Sequence, residues 1–358
     1  MRVCILGENL TSLTLANSLL NLKINVDIVA INKKIIYPKS RSIGLSNSNI
    51  EYFNNHILNI KKLVWNLDKI EIFTDNSLNK KLLNFENKNK FLFSTIKNFK
   101  LLDLLKKRLN SSKYFRKKSI LLRDKYDLII NTDFNHNITK TFFYKKLEKD
   151  YKGFAYTTLI SHKKISNHTA TQIFTKDGPI AFLPISKNET SIVYSINKAN
   201  NFDNNYIISQ IKKFNLKYDI LKINKIEKFQ LKSFNLRSYY HKNILAFGDM
   251  LHRVHPLAGQ GFNMTLRDIQ SLVKIIKCKI NLGLPLDASV CKEFEKEIKH
   301  KNFIFSQGID LIYEFFNFER KTNILILNKT LNFFGKNKSL MKAFSNIADS
   351  GDFKNFTE

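Results

Sequence analysis

The chain has 358 residues, of which 43% are hydrophobic, so it can bury a large core in one large domain or two closely connected ones. Its net charge of +29 favours anionic partners, but 50 of the 59 basic residues are lysines spread along the chain. Without a basic arm or a recognisable nucleic-acid module, we exclude nucleic acid and expect attraction to an anionic membrane surface.

Three further features bear on location. The cysteines are few and lack metal-ligand spacing, which predicts a reducing cytoplasm and no metal site. The N-terminus enters an apolar strand without a signal region, and no stretch of eighteen uncharged apolar residues occurs. We therefore expect a cytoplasmic protein without a spanning helix.

The first thirty residues predict the β-α-β start of a dinucleotide-binding domain. The predicted elements are a strand at Arg2–Leu6, a turn at Gly7–Ser12, a helix at Leu13–Leu22 and a strand at Val26–Ile31. A GxGxxG turn would place a pyrophosphate on the helix N-terminus, but only Gly7 keeps its glycine, and Asn9 and Ser12 fill the other two positions. Ala30 stands where an acid would bind a ribose hydroxyl. Taken alone, the pattern fits a cofactor loop and a plain strand-helix junction equally well.

The middle of the chain alternates between helical and β-rich patterns. Leu92–Leu109 predicts an amphipathic helix, and Tyr126–Asn137 predicts a buried strand with a turn. Residues 54–90 are polar and mixed, as in an excursion to another domain. Four β-rich runs then predict the floor of a substrate pocket, at Tyr156–Ser161, Thr169–Phe174, Ile180–Pro184 and Ser191–Ile196.

The C-terminal region is predicted to be helical. Phe305, Ile309, Ile312 and Phe316 fall at helical spacing, and a second helix is predicted over Ile324–Phe334, ending at Gly335. Two interpretations remain open. The helices either cap the two domains or form a Phe-rich and Lys-rich surface that faces a membrane.

The most informative stretch runs from Asn243 to Leu272. An apolar strand is broken by Gly248 and Asp249, as where a backbone meets a ligand. Gly259 and Gly261 then flank Gln260 and precede a helical pattern. Glycines that open a helix let its N–H groups and its dipole approach a negatively charged or electron-accepting group.

This stretch resembles the second flavin fingerprint of FAD-dependent aromatic hydroxylases of the para-hydroxybenzoate hydroxylase type, particularly their ubiquinone-biosynthesis branch. The family pattern GDAAHxxHPxxGQGxN is matched by Gly248, Asp249, His252, His255, Pro256, Gly259, Gln260, Gly261 and Asn263. The resemblance implies that Asp249 holds the ribityl or pyrophosphate part of FAD. It also implies that Pro256 to Asn263 lie beside the isoalloxazine ring.

Other segments extend the resemblance. Arg41–Ser46 matches a family segment whose arginine reaches the cofactor, although Arg41 also fits a surface arginine. Asp133 matches the acid of the family's GADG segment, where Phe134 replaces the following glycine. The implied cofactor-binding set is Gly7, Asn9, Ser12, Arg41, Asp133, Gly248, Asp249, Pro256, Gly259, Gln260, Gly261 and Asn263. His252, His255 and Pro256 are the catalytic candidates; the two histidines could move a proton from a phenol or be purely structural.

These observations predict an α/β fold: a Rossmann-like FAD-binding domain (1–55, 90–150, 235–285), an interleaved β-rich substrate domain (56–89, 151–234) and a helical C-terminus (286–358). The resemblance implies a peripheral membrane monooxygenase that uses FAD, NAD(P)H and O2 to hydroxylate a polyprenylated phenol or quinone precursor in ubiquinone biosynthesis. Two alternatives stay open. One is a non-catalytic partner in a quinone-synthesis complex, and the other is a flavin monooxygenase acting on another lipid or aromatic compound.

Overall fold

The structure is a computed structural model that describes residues 1–30, 39–75, 78, 81–86, 91–197, 202–256, 259–322, 349 and 351, excepting the side chains of 315–322. The helices are α1 (Leu10–Leu20), α2 (Asn47–Tyr52), α3 (Asn98–Asn110), α4 (Asn137–Phe142), α5 (Asn204–Lys213), α6 (Gly261–Asn281) and α7 (Ala288–Thr322). The first strands are β1 (Arg2–Leu6), β2 (Asn25–Val29), β3 (Ser42–Ser46), β4 (Trp65–Leu67), β5 (Lys69–Thr74), β6 (Leu83–Glu86), β7 (Phe93–Lys97), β8 (Phe115–Lys118) and β9 (Leu128–Asn131). The remaining strands are β10 (Lys146–His162), β11 (Thr169–Phe174), β12 (Pro179–Pro184), β13 (Glu189–Ile196), β14 (Ile220–Ile223), β15 (Glu227–Leu236), β16 (Tyr240–His241), β17 (Ile244–Ala246) and β18 (His252–Arg253).

A six-stranded sheet in the order β16-β17-β9-β1-β2-β8 forms the first layer. Its strands pair in parallel except for the short β16–β17 hairpin. β9 is buried throughout and β1 is buried from Val3 to Leu6, and α1, α3 and α6 supply apolar side chains to the same core. Continuously apolar strands covered by helices are typical of a parallel sheet. The predicted α/β class and Rossmann-like domain are confirmed.

A second sheet of nine strands is mostly antiparallel, and its long central strand β10 lies between β13 and β15. The four predicted β-rich runs fall within β10, β11, β12 and β13. β5, from the earlier excursion, adds to the sheet parallel to β11. A three-stranded sheet, β3-β7-β4, is separate from both. The proposed domain boundaries stay a prediction.

Two predicted helix starts were wrong. The helix expected at Leu92–Leu109 begins only at Asn98, because Phe93–Lys97 forms β7 and pairs with β3. Helix α1 begins at Leu10 rather than at Leu13, because Asn9 and Ser12 form an N-terminal cap. Both errors arise where long-range pairing or capping overrides a local apolar pattern.

Helix α7 connects the two larger sheets. Its first half contributes Val290 and Phe294 to the core of the parallel sheet, and its second half packs Phe305, Ile309 and Tyr313 near β10 and β15. Ile312, expected on the same face as Phe305 and Ile309, is instead 39% exposed. The predicted helix at Ile324–Phe334 lies outside the described residues, as does the side chain of Phe316.

Candidate functional site

The turn after β1 requires a glycine at its first position. Gly7 has φ +95°, and its N–H donates to the carbonyl of Val29 at 2.9 Å. A Cβ added at Gly7 would lie 2.9 Å from Thr132 Oγ1 and 3.2 Å from Asp133 Cβ. The turn therefore presses against the segment after β9, and a side chain would separate the two.

Asn9 and Ser12, which replace the other two glycines, form a capping box on α1. The Asn9 side chain accepts from the Ser12 amide at 3.0 Å, and Ser12 Oγ accepts from the Asn9 amide at 2.8 Å. Asn9 Nδ2 also donates to the Thr132 carbonyl at 3.0 Å. Asn9 has φ −128°, which any residue can adopt. The protein's own side chains thus satisfy amides that would otherwise face a ligand.

An acidic residue lies within the same turn. Glu8 forms ion pairs with Lys106 at 2.8 Å and with Lys117 at 2.5 Å. Partial burial alone would raise the pKa of Glu8, but hydrogen bonds from the two ammonium groups hold it below the ordinary value. The two lysines thereby offset a negative charge at the turn where a phosphate would bind.

The second motif meets the N-terminus of α1. Gly248 has φ +68°, and a Cβ there would lie 2.5 Å from Thr11 Cγ2. Asp249 follows in a short 3-10 turn, with an exposed side chain. The glycine lets the end of β17 approach α1 closely, and the carboxylate beside this junction remains at the surface.

The glycine turn before α6 leaves a helix end open. Gly259 has φ +62° and packs near Gly44, whereas a Cβ at Gly261 would meet no heavy atom within 4 Å in the part of the chain described. Gln260 precedes the helix without capping it, and its buried Oε1 has no hydrogen-bond partner among the described residues. A 21-residue helix thus begins with uncapped amides beside an unsatisfied acceptor.

Asn263 connects this turn to β3. Its Oδ1 accepts from the amide of Ser46 at 3.0 Å, and its Nδ2 donates to the carbonyl of Gly44 at 3.1 Å. The Asn49 amide group also donates to Asn263 Oδ1, at 3.0 Å. This side chain, expected to contact a cofactor, is 2% exposed and engaged in holding β3 against α6.

Arg41, immediately before β3, points towards the second sheet. Its guanidinium lies 3.8 Å from a carboxylate oxygen of Glu227 and 5.6 Å from the ring centre of Phe229. Half of the side chain is exposed. A cofactor contact by Arg41 stays a prediction.

Asp133 lies next to the Gly7 turn. Its carboxylate accepts from the Asn135 amide at 2.9 Å and is partly exposed. Phe134 turns towards the second sheet, where it makes an edge contact with Phe234, and Arg253 lies 5.2 Å from its ring centre. Phe134 does not adopt a positive φ, so its backbone conformation does not require glycine.

Asn98 is a further candidate that was not predicted from the sequence. It is the first residue of α3, its amide donates to the Arg41 carbonyl at 3.1 Å, and its buried Oδ1 has no partner among the described residues. An asparagine at a strand-helix junction carries no sequence signal beyond that of a cap, so only the fold places this unsatisfied acceptor beside the Arg41–Ser46 segment.

His252 is locked in a buried polar network. Its Nε2 lies 2.7 Å from Asp268 Oδ2, and both side chains are fully buried. The other oxygen of Asp268 accepts from Asn302 at 2.9 Å. The network connects β18, α6 and α7, and this position favours the structural alternative for His252.

His255 lies in a second buried cluster, between the glycine turn and the second sheet. Its ring contacts Tyr313 at 4.2 Å and Tyr151 edge-on at 5.0 Å, centre to centre. Tyr151 donates to the carboxylate of Asp310, and burial is the first cause that raises the pKa of its hydroxyl, followed by this hydrogen bond. His255, one of the three catalytic candidates, thus lies between β10 and α7, and Pro256 follows it directly in the chain.

These residues fit a flavin dinucleotide. Gly7 allows close approach to the segment after β9 and Gly248 to α1. Among the described residues, the start of α6 is uncapped and open at Gly261, and the side-chain oxygens of Gln260 and Asn98 have no hydrogen-bond partner. Donor groups and a positive helix end suit the negative charge that a reduced flavin ring carries. Among the described residues, no group of three or more His, Cys, Asp or Glu could hold a metal ion.

Comparison with known proteins supports this fit. A family model described as an FAD binding domain matches residues 167–282. The 3-demethoxyubiquinol 3-hydroxylase of Escherichia coli is 30% identical over 160 residues, which are 41% of this chain and 39% of that protein. A mitochondrial ubiquinone biosynthesis monooxygenase of Dictyostelium discoideum is 27% identical over 41% of this chain and 38% of its own length. The chain thus spans about two fifths of the curated relatives it matches.

Solved structures extend the likeness to the whole fold. A p-nitrophenol 4-monooxygenase from Pseudomonas putida has a TM-score of 0.78 at 11% identity and covers 96% of both chains. A Klebsiella pneumoniae HpxO variant complexed with FAD has a TM-score of 0.77 at 10% identity, covering 98% of this chain and 99% of its own. The resemblance found in the sequence is confirmed: the chain is related to ubiquinone-biosynthesis hydroxylases and has the fold of FAD-dependent monooxygenases.

Proposed function

We propose that the protein is an FAD-dependent monooxygenase that hydroxylates the aromatic ring of a polyprenylated phenol or quinone precursor in ubiquinone biosynthesis. The observation that carries the proposal is the open, uncapped start of α6 at Gly259–Gly261, beside the unsatisfied Gln260 acceptor. The activities of the similar proteins, a 3-demethoxyubiquinol 3-hydroxylase and a ubiquinone biosynthesis monooxygenase, support the substrate class.

The overall reaction consumes one O2, one NAD(P)H and one proton. One oxygen atom enters the ring as a hydroxyl and the other leaves as water. When bound, FAD supplies the electron transfer from NAD(P)H to O2 that this chemistry needs, and the chain binds, orients and protects it. Gly7, Asp133, Asp249, Gln260, Gly261 and Asn98 would hold it, while Asn9, Ser12 and Asn263 keep the surrounding backbone in place.

The chain's own residues contribute geometry and exclusion of water. Asn263 fixes the glycine turn against β3, and the His252–Asp268 pair fixes α6 against α7. The His255 cluster seals the junction to the second sheet with buried aromatic rings. A rigid junction that excludes water suits this reaction, because water must be kept from the reacting groups.

Association with an anionic membrane surface belongs to the same proposal. Phe303, Ile304, Leu311 and Ile312 leave an apolar stripe exposed on α7, and Leu311 is 72% exposed. The net charge of +29 attracts anionic lipid, and the stripe would enter the interface of a cytoplasmic-side membrane. In the described part of the chain, no helix has the length and hydrophobicity to cross a bilayer.

Sedimentation with liposomes tests the proposed association with an anionic membrane surface. We expect binding to anionic vesicles that falls at high salt, and weaker binding of the Ile304→Ser, Leu311→Ser double variant. The matched control is Leu216→Ser, Leu221→Ser, which removes two exposed leucines from the second sheet and its loops. Equal binding by both double variants would leave α7 as a helical cap.

One competing function is favoured by a specific observation. The capping box at Asn9 and Ser12 fills the amides of the phosphate turn, which suits a family member that has lost catalysis and serves as a partner in a quinone-synthesis complex.

The absorption spectrum of the purified protein distinguishes the monooxygenase from the non-catalytic partner. We expect partial flavin content that added FAD completes, and strong loss of flavin in Asp249→Ala. An Asp124→Ala control removes an exposed acid from another 3-10 turn and should bind FAD normally. If no FAD binds at saturation, and Gly259→Val, Gly261→Val still complements a ubiquinone-deficient strain, the non-catalytic function replaces ours.

A further inference from the structure

The N-terminus of α2 is capped by a residue about three hundred positions away. Ser46 precedes α2 without making a cap hydrogen bond of its own. The carboxylate of Asp349 instead accepts from the amide of Ser48 at 3.1 Å. The hydroxyls of Ser46 and Ser48 donate to the main-chain carbonyl of Asp349 at 2.9 and 2.7 Å. A carboxylate at this position also favours the positive end of the helix.

The capped segment is bonded directly to the glycine turn. The Ser46 amide donates to Asn263 Oδ1, and Asn263 Nδ2 donates to the carbonyls of Gly44 and Gly259. Asn49 joins Ser46 to Asn263, with 3.0 Å hydrogen bonds to Ser46 Oγ and Asn263 Oδ1. A continuous hydrogen-bonded path thus runs from Asp349 through Ser46 and Asn263 to Gly259.

The same C-terminal residues contact α6 one turn further along. A Cβ at Gly351, which has φ +72°, would lie 2.6 Å from Arg267 Nε. The Arg267 guanidinium lies 4.4 Å from the ring centre of Phe305 on α7. Asp349 therefore contacts the N-terminus of α2, and Gly351 lies beside Arg267 of α6, the helix that the glycine turn begins.

We infer that Asp349 is a positioning residue for the cofactor site, holding the Gly259–Gly261 turn in its binding conformation from the C-terminal end of the chain. The inference rests on the proposed function for the identity of the ligand. The glycine turn has little packing of its own, since a Cβ at Gly261 would touch nothing in the described part of the chain. Hydrogen bonds that reach it through Asn263 consequently decide how rigid it is.

The first readout needs no cofactor. Within 259–264, the amides of Gly259 and Met264 are hydrogen-bonded to the carbonyls of Pro256 and Gln260. Their hydrogen exchange in the apo protein should be about five- to tenfold faster in Asp349→Ala, the change that losing one helix cap predicts. Asp349→Asn keeps the acceptor oxygen and should restore most of the protection. Ser48→Ala removes the hydroxyl contacts to the Asp349 carbonyl and to Ser46 Oγ but keeps the amide bond to the Asp349 carboxylate. It should show an intermediate effect and serves as the test where Asp349→Ala folds poorly.

The matched control is Asp203→Ala, because Asp203 caps α5 in the second sheet's region through a 2.8 Å bond to the Tyr206 amide. It should lower the melting temperature comparably and leave the exchange at 259–264 unchanged. Titration with FAD should then show a dissociation constant about five- to tenfold larger for Asp349→Ala than for the wild type. Asp203→Ala should leave this constant unchanged.

Unchanged exchange at 259–264 in both Asp349→Ala and Ser48→Ala would overturn the inference, and so would an equal effect of Asp203→Ala. Failure of the wild-type protein to bind FAD would instead overturn the proposed function and leave the exchange result intact. The two failures are therefore distinguishable.

Discussion

The N-termini of α1 and α6 both follow glycine turns, yet they differ in whether side chains of the protein cap them. At α1, the capping box satisfies the amides of Asn9 and Ser12, and Glu8 is paired with two lysines. At α6, Gln260 makes no side-chain cap, and no heavy atom of the described residues lies within 4 Å of a Cβ placed at Gly261. The first helix end is capped by the protein's own side chains, whereas the second has no such cap in the described part of the chain.

This difference shows where binding energy for a flavin would arise. A ligand at α1 competes with bonds that the protein already makes, so it gains little there. A ligand at α6 meets unsatisfied groups and displaces nothing but solvent. We therefore expect the adenosine and phosphate end to bind weakly and the ring end to dominate affinity.

The largest effect should come from breaking the anchor that holds α6. Asp268→Ala leaves His252 and Asn302 buried without their shared partner, so we expect a loss of about 3–5 kcal/mol in unfolding free energy. Urea unfolding of the apo protein measures this change. A loss below about 1 kcal/mol would mean that the pair contributes no more than a surface ion pair.

A pair of glycine substitutions sharpens the comparison directly. Gly7→Ala places a Cβ 2.9 Å from Thr132 Oγ1 at positive φ, so it should destabilise the protein by about 1–3 kcal/mol. In Gly261→Ala, the added Cβ meets no heavy atom within 4 Å in the described part of the chain. The unfolding free energy of the apo protein should therefore stay within about 1 kcal/mol of the wild-type value. The substitution should nevertheless weaken FAD binding, because it fills the open space. Calorimetry and FAD titration on both variants would separate the two effects, and equal stability losses would contradict the contrast.

Restoring the missing glycines should change α1 in two opposing ways. Asn9→Gly, Ser12→Gly removes the capping box and the bonds to Thr132, so apo stability should fall by about 1 kcal/mol. FAD should bind more tightly, because released amides can face the phosphates. Thermal melts and titration measure the two quantities. Weaker FAD binding by the double variant would show that the capping box organises the turn for its ligand.

The smallest effect concerns Glu8 and depends on pH. Because the pKa of Glu8 is lowered on folding, its stabilising contribution is present above the ordinary carboxyl value of 4.5 and is lost as the pH falls through the lowered value. Glu8→Gln should therefore cost about 0–1 kcal/mol at neutral pH and nothing in acid. Urea unfolding across pH tests this. A constant difference at all pH values would assign the effect to packing instead.

Much of the architecture followed from sequence because it depends on local patterns. The apolar runs at Arg2–Leu6 and Thr169–Phe174 form strands with the predicted bounds. Gly7, Gly248 and Gly259 all adopt positive φ, a conformation that glycine accepts without strain. The fingerprint at 248–263 could be recognised because its chemistry requires residue types at fixed spacing.

The sequence by itself determined the sheet classes, the glycine turns and the flavin fingerprint, since these rest on periodicity and backbone freedom. Only the tertiary structure decided what each polar side chain does. It assigned Asn263 to a clamp on β3, His252 to a buried pair with Asp268, and the cap of α2 to Asp349. Hydrogen bonds between residues up to 303 positions apart leave no periodic trace in the chain, because they depend on where the folded elements meet.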